Sequence, residues 1–255
     1  MGERPVAIIT GGRRGIGLGI AKALAADGFD IALTGIGEAV EGDPALAEIH
    51  SLGVDAVYVQ SDLARLESHG PALAAISGAF GRVDCLVNNA GMASVVRGDF
   101  LDLVPANFDA IIATNLRGTV FFTQSVLKVM LAGAPRAPRS IVNITSVSAS
   151  ASSPERLDYC ISKAGLSAFS QGLALRLAET GISVFELRPG IIRSEMTAGV
   201  SEKYDRLIGD GLVPMKRWGE PGDIGAIVSA LASGKFGFAT GSVIDADGGL
   251  SIARL

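Results

Sequence analysis

The chain is poor in the residues that build several common kinds of site. It has two cysteines and two histidines in 255 residues. Cys85 and Cys160 are too few for a disulfide framework or a zinc site, so both are expected as reduced, largely buried thiols. His50 and His69 do not follow an apolar run directly; they are expected at the surface or at helix caps, and no metal is expected. Blocks of basic residues are absent and the formal net charge is -4, which gives no electrostatic footprint for nucleic acid. Although 48% of residues are hydrophobic, no stretch approaches the ~20 uninterrupted apolar residues of a membrane span. Residues 1–5 lead straight into an apolar run without a cleavage-type signal region. A cytoplasmic location without a membrane partner is the expectation.

What the chain does have is glycine, 33 residues of it, much of it at the ends of short apolar runs. Those runs, at 6–10, 30–34, 56–60, 85–88, 140–145, 183–187 and 242–245, read as strands. Amphipathic stretches at 16–26, 44–52, 72–80, 108–130, 160–179 and 221–232 read as helices between them. Such alternation predicts βα units and a parallel sheet, and continuous hydrophobicity within the runs means both sheet faces are covered. The expected architecture is α/β: one Rossmann-type doubly wound domain over 1–255, about seven parallel strands between two helical layers. Residues 190–214 are long for a crossover and are expected to form a substrate loop or lid. The tract 132–139 is an ordinary helix-to-strand connection.

The first apolar run ends in Gly11-Gly12-Arg13-Arg14-Gly15-Ile16-Gly17 and opens a helix. Glycines there admit positive φ and close approach of a diphosphate, and a helix N-terminus offers unpaired N–H groups. The spacing is Gly-x-x-x-Gly-x-Gly rather than the general dinucleotide fingerprint. The second run ends Leu33-Thr34-Gly35-Ile36-Gly37, without the carboxylate that an NAD site places against the adenosine ribose. Arg13 and Arg14 can pair with a 2′-phosphate. NADP(H) is therefore the expected cofactor, with NAD(H) as the alternative.

Ligands in doubly wound sheets lie at the carboxyl ends of the strands. Reading those ends in turn gives Ser61-Asp62-Leu63, Asn88-Asn89-Ala90-Gly91, Ser146 and Pro189-Gly190-Ile191-Ile192-Arg193-Ser194. With the glycine turn, Asn115 and Tyr159-x-x-x-Lys163, this series closely resembles the short-chain dehydrogenase/reductase family over nearly the whole chain. The resemblance implies that Asp62 and the Leu63 backbone hold the adenine and that Asn88 braces the strand ends. It further implies that Asn89, Ala90 and Gly91 line the adenosine side, while Pro189, Gly190, Ile192 and Ser194 engage the nicotinamide end. The family usually has threonine where Ser194 stands.

Tyr159 and Lys163 are four apart in a helical pattern and share a face. A phenol titrates near ~10, too high for a ready base at neutral pH; a nearby ammonium lowers that value. The expected roles are Tyr159 as general acid/base, Lys163 as the cation that acidifies it and holds the ribose, and Ser146 orienting the substrate oxygen. The family assigns Asn115 a bound water in the proton relay.

Within the family the pattern is most similar to the 3-oxoacyl-[acyl-carrier-protein] reductases, with sugar and polyol dehydrogenases on the same scaffold as the alternative. A non-catalytic nucleotide-binding protein would be expected to have lost the Tyr or the Lys. The acidic carrier protein calls for basic residues near the site; Arg136 and Arg139 are candidates. Where those reductases often carry an arginine, this chain reads Glu179-Thr180-Gly181. Arg188 is unusual before Pro189-Gly190; it either contacts a substrate carboxylate or forms a structural pair with an acid. Trp218, Met215 and Phe100 read as packing residues. An apolar last strand at a sheet edge and long apolar helices invite self-association, and the resemblance implies a homotetramer.

Overall fold

The computed structural model describes residues 4–254. Its seven strands are β1 Val6–Thr10, β2 Asp30–Gly35, β3 Ala56–Gln60, β4 Cys85–Asn88, β5 Arg139–Ile144, β6 Ile182–Pro189 and β7 Val243–Ala246. All pair in parallel in the order β3-β2-β1-β4-β5-β6-β7. The expected edge position of the last strand is borne out. The chain reverses direction across the sheet between β1 and β4, where a doubly wound sheet opens its ligand crevice.

Alternation of side chains sorts each strand between two cores. Ala7, Ile9, Ile31, Leu33, Val87, Val142, Phe185 and Leu187 face one side. There they meet α1 (Gly15–Ala26), α2 (Pro44–His50) and α9 (Pro221–Ala232) through Ile20, Leu24, Ile49, Ile224 and Val228. Ile8, Ala32, Leu86, Ile141 and Val184 face the other way, against Leu73, Ile76, Phe122, Val126 and Leu173. Those five belong to α3 (His69–Phe80), α5 (Thr119–Ala132) and α6 (Leu157–Leu177). Removing any of these large side chains costs roughly 2–5 kcal/mol, because a close-packed core relaxes only in part.

The predicted helix at 108–130 is three pieces: α4 (Pro105–Ile111), a π-helical turn (Ile112–Gly118) and α5. Residues 190–214 are not irregular throughout. They include α7 (Glu195–Ala198) and α8 (Ser201–Gly209), and Ile208, Val213 and Trp218 form a small core of their own with Ile191 and Tyr204. Trp218 packs as expected and donates from Nε1 to Asp205 at 2.6 Å. Met215 and Phe100, expected to pack, are exposed. Both cysteines are buried free thiols, and burial pushes Cys85 up to about 12. His69 takes the helix-end alternative rather than the surface one: it is the first residue of α3, is buried, bonds the Leu63 carbonyl at 3.1 Å and stands edge-on to Phe122. Among the described residues no helix is long and apolar enough to cross a membrane.

Candidate active site

The turn after β1 is shaped by close backbone approaches. Gly11 has φ +64, and a Cβ there would stand 3.1 Å from Ala90 Cα. At Gly17 a Cβ would collide with the Gly11 carbonyl at 2.2 Å, so α1 starts hard against the strand end. Arg14, the residue preceding α1, makes no side-chain cap, and the first turn carries no acid. The helix therefore presents free N–H groups and the positive end of its dipole toward the crevice, which suits a diphosphate. Ile16 is half-buried behind them.

Thr10 joins this turn to the end of β4. Its Oγ1 accepts from Asn89 N and Ala90 N, both at 3.0 Å, and donates to the Val87 carbonyl at 3.4 Å. Asn89 spends its amide on the Thr10 carbonyl at 2.9 Å, so in this structure its side chain builds the turn. Asn88 donates to Thr123 Oγ1 and Asn143 Oδ1, bracing β4 against β5 and α5.

Both predicted arginines flank the glycine turn, each engaged with an acid. Arg13 lies 4.4 Å over the Tyr58 ring, pairs with buried Asp43 at 2.8 Å and donates to the Glu38 carbonyl at 2.9 Å. Arg14 pairs with exposed Glu195 of α7 at 2.6 Å. Asp62, after β3, accepts from Ala64 N at 2.9 Å, and Leu63 is buried beside it. At the other end, a Cβ on Gly190 would strike Asp247 at 2.6 Å, fixing the turn after Pro189. Ile192 is buried, and Ser194 opens α7 in a reciprocal cap with Thr197.

The π turn turns the Asn115 side chain onto the main chain of the loop after β4. Its Oδ1 accepts from Met92 N at 2.8 Å, and its Nδ2 donates to the Met92 carbonyl at 2.9 Å and to Ser162 Oγ at 3.1 Å. A π turn often marks a functional site because it re-aims one side chain. Gly91 lies between Asn115 Oδ1 (3.2 Å from a built Cβ) and Lys163 Nζ (3.6 Å). Lys163 is buried, donates to the Ile144 carbonyl at 3.0 Å and lies 5.8 Å from the Tyr159 ring centre. Ser146 follows β5, and its Oγ accepts from Ser148 N at 3.0 Å. Asn115, Ser146, Tyr159 and Lys163 thus gather at the carboxyl edge of β4 and β5.

Burial brings Lys163 down to about 8, so its ammonium persists at pH 7. Burial raises the Tyr159 phenol; the Ser146 hydroxyl and the guanidinium groups of Arg156 and Arg97 pull it back part of the way. The net shift is upward: in the protein alone, desolvation outweighs the surrounding cations.

A family model described as Enoyl-(Acyl carrier protein) reductase, from the short-chain dehydrogenases, matches residues 11–251. The chain belongs to the short-chain dehydrogenase/reductase family. A Brucella melitensis 3-oxoacyl-[acyl-carrier protein] reductase, solved in complex with NAD, is 62% identical to it with a TM-score of 0.97, covering all of both chains. The 3-oxoacyl-[acyl-carrier-protein] reductase FabG of Staphylococcus epidermidis is 33% identical over 96% of this chain and 98% of its own. The acetoacetyl-CoA reductase of Shinella zoogloeoides is 37% identical over 96% and 97%. This short-chain oxidoreductase therefore takes a nicotinamide cofactor.

Of the arginines in the short-chain enzyme, sequence reasoning misplaced one and missed another. Arg139 is buried and caps the Met130 and Thr180 carbonyls at 2.7 and 2.8 Å, so it is not available to a carrier protein; Arg136 stays exposed. Arg156, three residues before Tyr159, stands with its Cζ 5.7 Å from that ring's centre. Its sequence position was the available signal. Arg188 resolves to the structural pair, bonding buried Glu186 at 2.7 Å.

Proposed function

We propose that this enzyme reduces the 3-oxo group of acyl thioesters, acyl-carrier-protein-bound ones included, with NADPH, working in the cytoplasm as a homotetramer. What carries the reading is the convergence of Ser146, Tyr159, Lys163 and Asn115 beside a glycine-lined crevice whose helix is uncapped. The names of the relatives at 33–62% identity support the substrate class.

In this reading the nicotinamide supplies a hydride to the carbonyl carbon. Tyr159 donates the proton to the oxygen, and its raised pKa keeps that proton in place at neutral pH, which suits reduction. Ser146 orients the oxygen. Lys163 holds the ribose and, with the cofactor's charge, draws the phenol down for the reverse reaction; Asn115 supports the relay behind it. Gly11, Gly15, Ile16 and Gly17 hold the diphosphate, Asp62, Leu63, Asn89, Ala90 and Gly91 the adenosine side, and Pro189, Gly190, Ile192 and Ser194 the nicotinamide side. Arg13 and Arg14 meet the 2′-phosphate. Residues 190–214 act as the lid.

A second cofactor reading, NAD(H), is favoured by two observations: Arg13 is already neutralised by buried Asp43, and the Brucella relative was solved with NAD.

The deciding experiment pairs turnover with binding. Tyr159→Phe is expected to lose at least about 100-fold in kcat on an acetoacetyl thioester, the scale of a lost general acid, while NADPH titration by fluorescence stays unchanged. Retained turnover overturns the reading. The same titration run with NADH ranks the cofactors, and amide exchange over 190–214 should slow on NADPH binding.

A further inference from the structure

The two arginines of the glycine turn are held in unlike ways. Arg14 and its partner Glu195 keep 73% and 66% of their side-chain surface exposed, where water screens the pair. Arg13 is 27% exposed and Asp43 only 3%. Three contacts fix the Arg13 guanidinium. Its Nε stands 2.8 Å from Asp43 Oδ2, its Nη1 donates to the Glu38 carbonyl at 2.9 Å, and its Cζ lies 4.4 Å over the Tyr58 ring. The segment 36–42 that joins β2 to α2 is tied down by other bonds as well. Tyr58 OH donates to the Gly37 carbonyl at 2.6 Å, and Gln60 Nε2 to the Ile36 carbonyl at 2.9 Å.

Asp43 has a second task as the N-cap of α2. Its Oδ1 accepts from Ala45 N at 2.9 Å, and Pro44 takes the first helical position. Asparagine or serine would cap the helix as well without burying a charge. The other oxygen is what a cap does not explain. Among the described residues Oδ2 is buried and accepts no hydrogen bond, so the Arg13 charge is what compensates it. A buried carboxylate on those terms is disfavoured unless the charge itself has a use. Here it cancels a guanidinium that would otherwise stand positive beside the glycine-lined crevice.

We propose that Asp43 sets the enzyme's choice between NADPH and NADH: its carboxylate competes with the 2′-phosphate for Arg13 and holds the preference for NADPH down. The proposal rests on the reading that Arg13 meets that phosphate, and deepens it by naming the residue that governs the encounter. A lone guanidinium attracts a phosphate through charge-assisted hydrogen bonds. The Arg13–Asp43 pair has no net charge, and it sets a carboxylate of the phosphate's own sign beside the donor. With NADH, which has a hydroxyl in that place, the pair has nothing to exchange.

The test measures binding rather than turnover. NADPH and NADH are titrated by fluorescence against the wild type, Asp43→Asn, Arg13→Gln and the double variant. Asparagine keeps an oxygen for Ala45 N and removes the charge. Asp43→Asn should lower the Kd for NADPH by at least about 10-fold, the scale of one unit charge acting at short range in a partly screened site, and change that for NADH by less than about 2-fold. On the Arg13→Gln background the same substitution should move the NADPH/NADH ratio by less than about 2-fold. An unchanged ratio in Asp43→Asn, with Arg13→Gln weakening NADPH alone, overturns the role of Asp43 and leaves the reading of Arg13 standing. A ratio that Arg13→Gln leaves unmoved in both backgrounds overturns that reading, and the proposal with it. Equal gains for both cofactors would be an effect on segment 36–42, and a gain that persists without Arg13 would be direct repulsion; either overturns the competition. Asp43→Ser, also an uncharged cap, replaces the asparagine variant if that one does not fold.

Discussion

At the scale of single residues, Lys163 shows what the site costs the fold. Burial lowers it from 10.5 to about 8, so the unfolded chain binds its proton more tightly than the folded one. The sign follows: the penalty is complete below pH 8 and is relieved as pH rises toward 10.5. The difference corresponds to about 3 kcal/mol against the folded state at neutral pH, and the bond to the Ile144 carbonyl offsets part of it. Lys163→Met should therefore gain stability relative to the wild type at pH 7 without cofactor, while turnover collapses. The gain should shrink between pH 8 and 10 in thermal melts. A stability difference that stays flat over that range would refute the buried-ammonium account. Functional sites commonly carry such local costs.

At the scale of elements, α6, which carries Tyr159 and Lys163, is docked on the sheet by polar links near those residues and by apolar packing further on. Lys163, Ser167 and Ser170 recur along one face and bond Ile144 O, Glu186 and Asn143 in turn. Glu186, 1% exposed, gathers Thr145 Oγ1, Ser167 Oγ and Arg188 Nε, joining the end of β5 to the helix one turn beyond Lys163. Breaking a buried pair strands a charge, whereas replacing both partners with apolar groups is often nearly neutral. Glu186→Ala should cost about 3 kcal/mol or more in denaturant melts at fixed protein concentration, and Glu186→Leu/Arg188→Leu should cost less than that single change. A double variant worse than the single would exclude the stranded-charge explanation. This seam also marks the limit of what was legible beforehand. Strand positions came through because Val6–Thr10 and its counterparts are short, continuous apolar runs alternating with helical patterns. Tyr159, Lys163 and Ser146 were legible through spacing and strand ends. The partner of Arg188 was not, because Glu186 reads as an interruption of an apolar run until β5 and α6 close over it. Nor was the π turn, since periodicity at 108–130 looks the same with one residue inserted. Arg139 was misread for a similar reason: a guanidinium before a strand looks solvent-facing until the ends of α5 and α6 supply carbonyls.

At the scale of the molecule, several large apolar side chains stand exposed among the described residues, and two groups of them lie on elements suited to self-association. One lies on the helical layer, where Phe121 and Leu131 of α5 and Ile161 and Leu175 of α6 are 40–82% exposed. The other lies at the sheet edge, where Val243 of β7 is preceded in sequence by exposed Phe236 and Phe238. An unpaired strand edge bearing apolar side chains invites pairing with another copy. A single self-complementary patch closes as a dimer; two patches on different sides, each with its own two-fold axis, generate a tetramer with dihedral symmetry. The two patches can then be broken one at a time. Phe238→Asp should leave a dimer held by the helical face, and Leu175→Glu a dimer held by the sheet edge, each half the wild-type mass in light scattering at micromolar concentration. Both changes together should give a monomer with a lower melting temperature, since assembly stabilises the folded state by mass action. A wild type that is already monomeric, or single variants that keep the full mass, would mean that these surfaces are covered by something other than copies of the same chain.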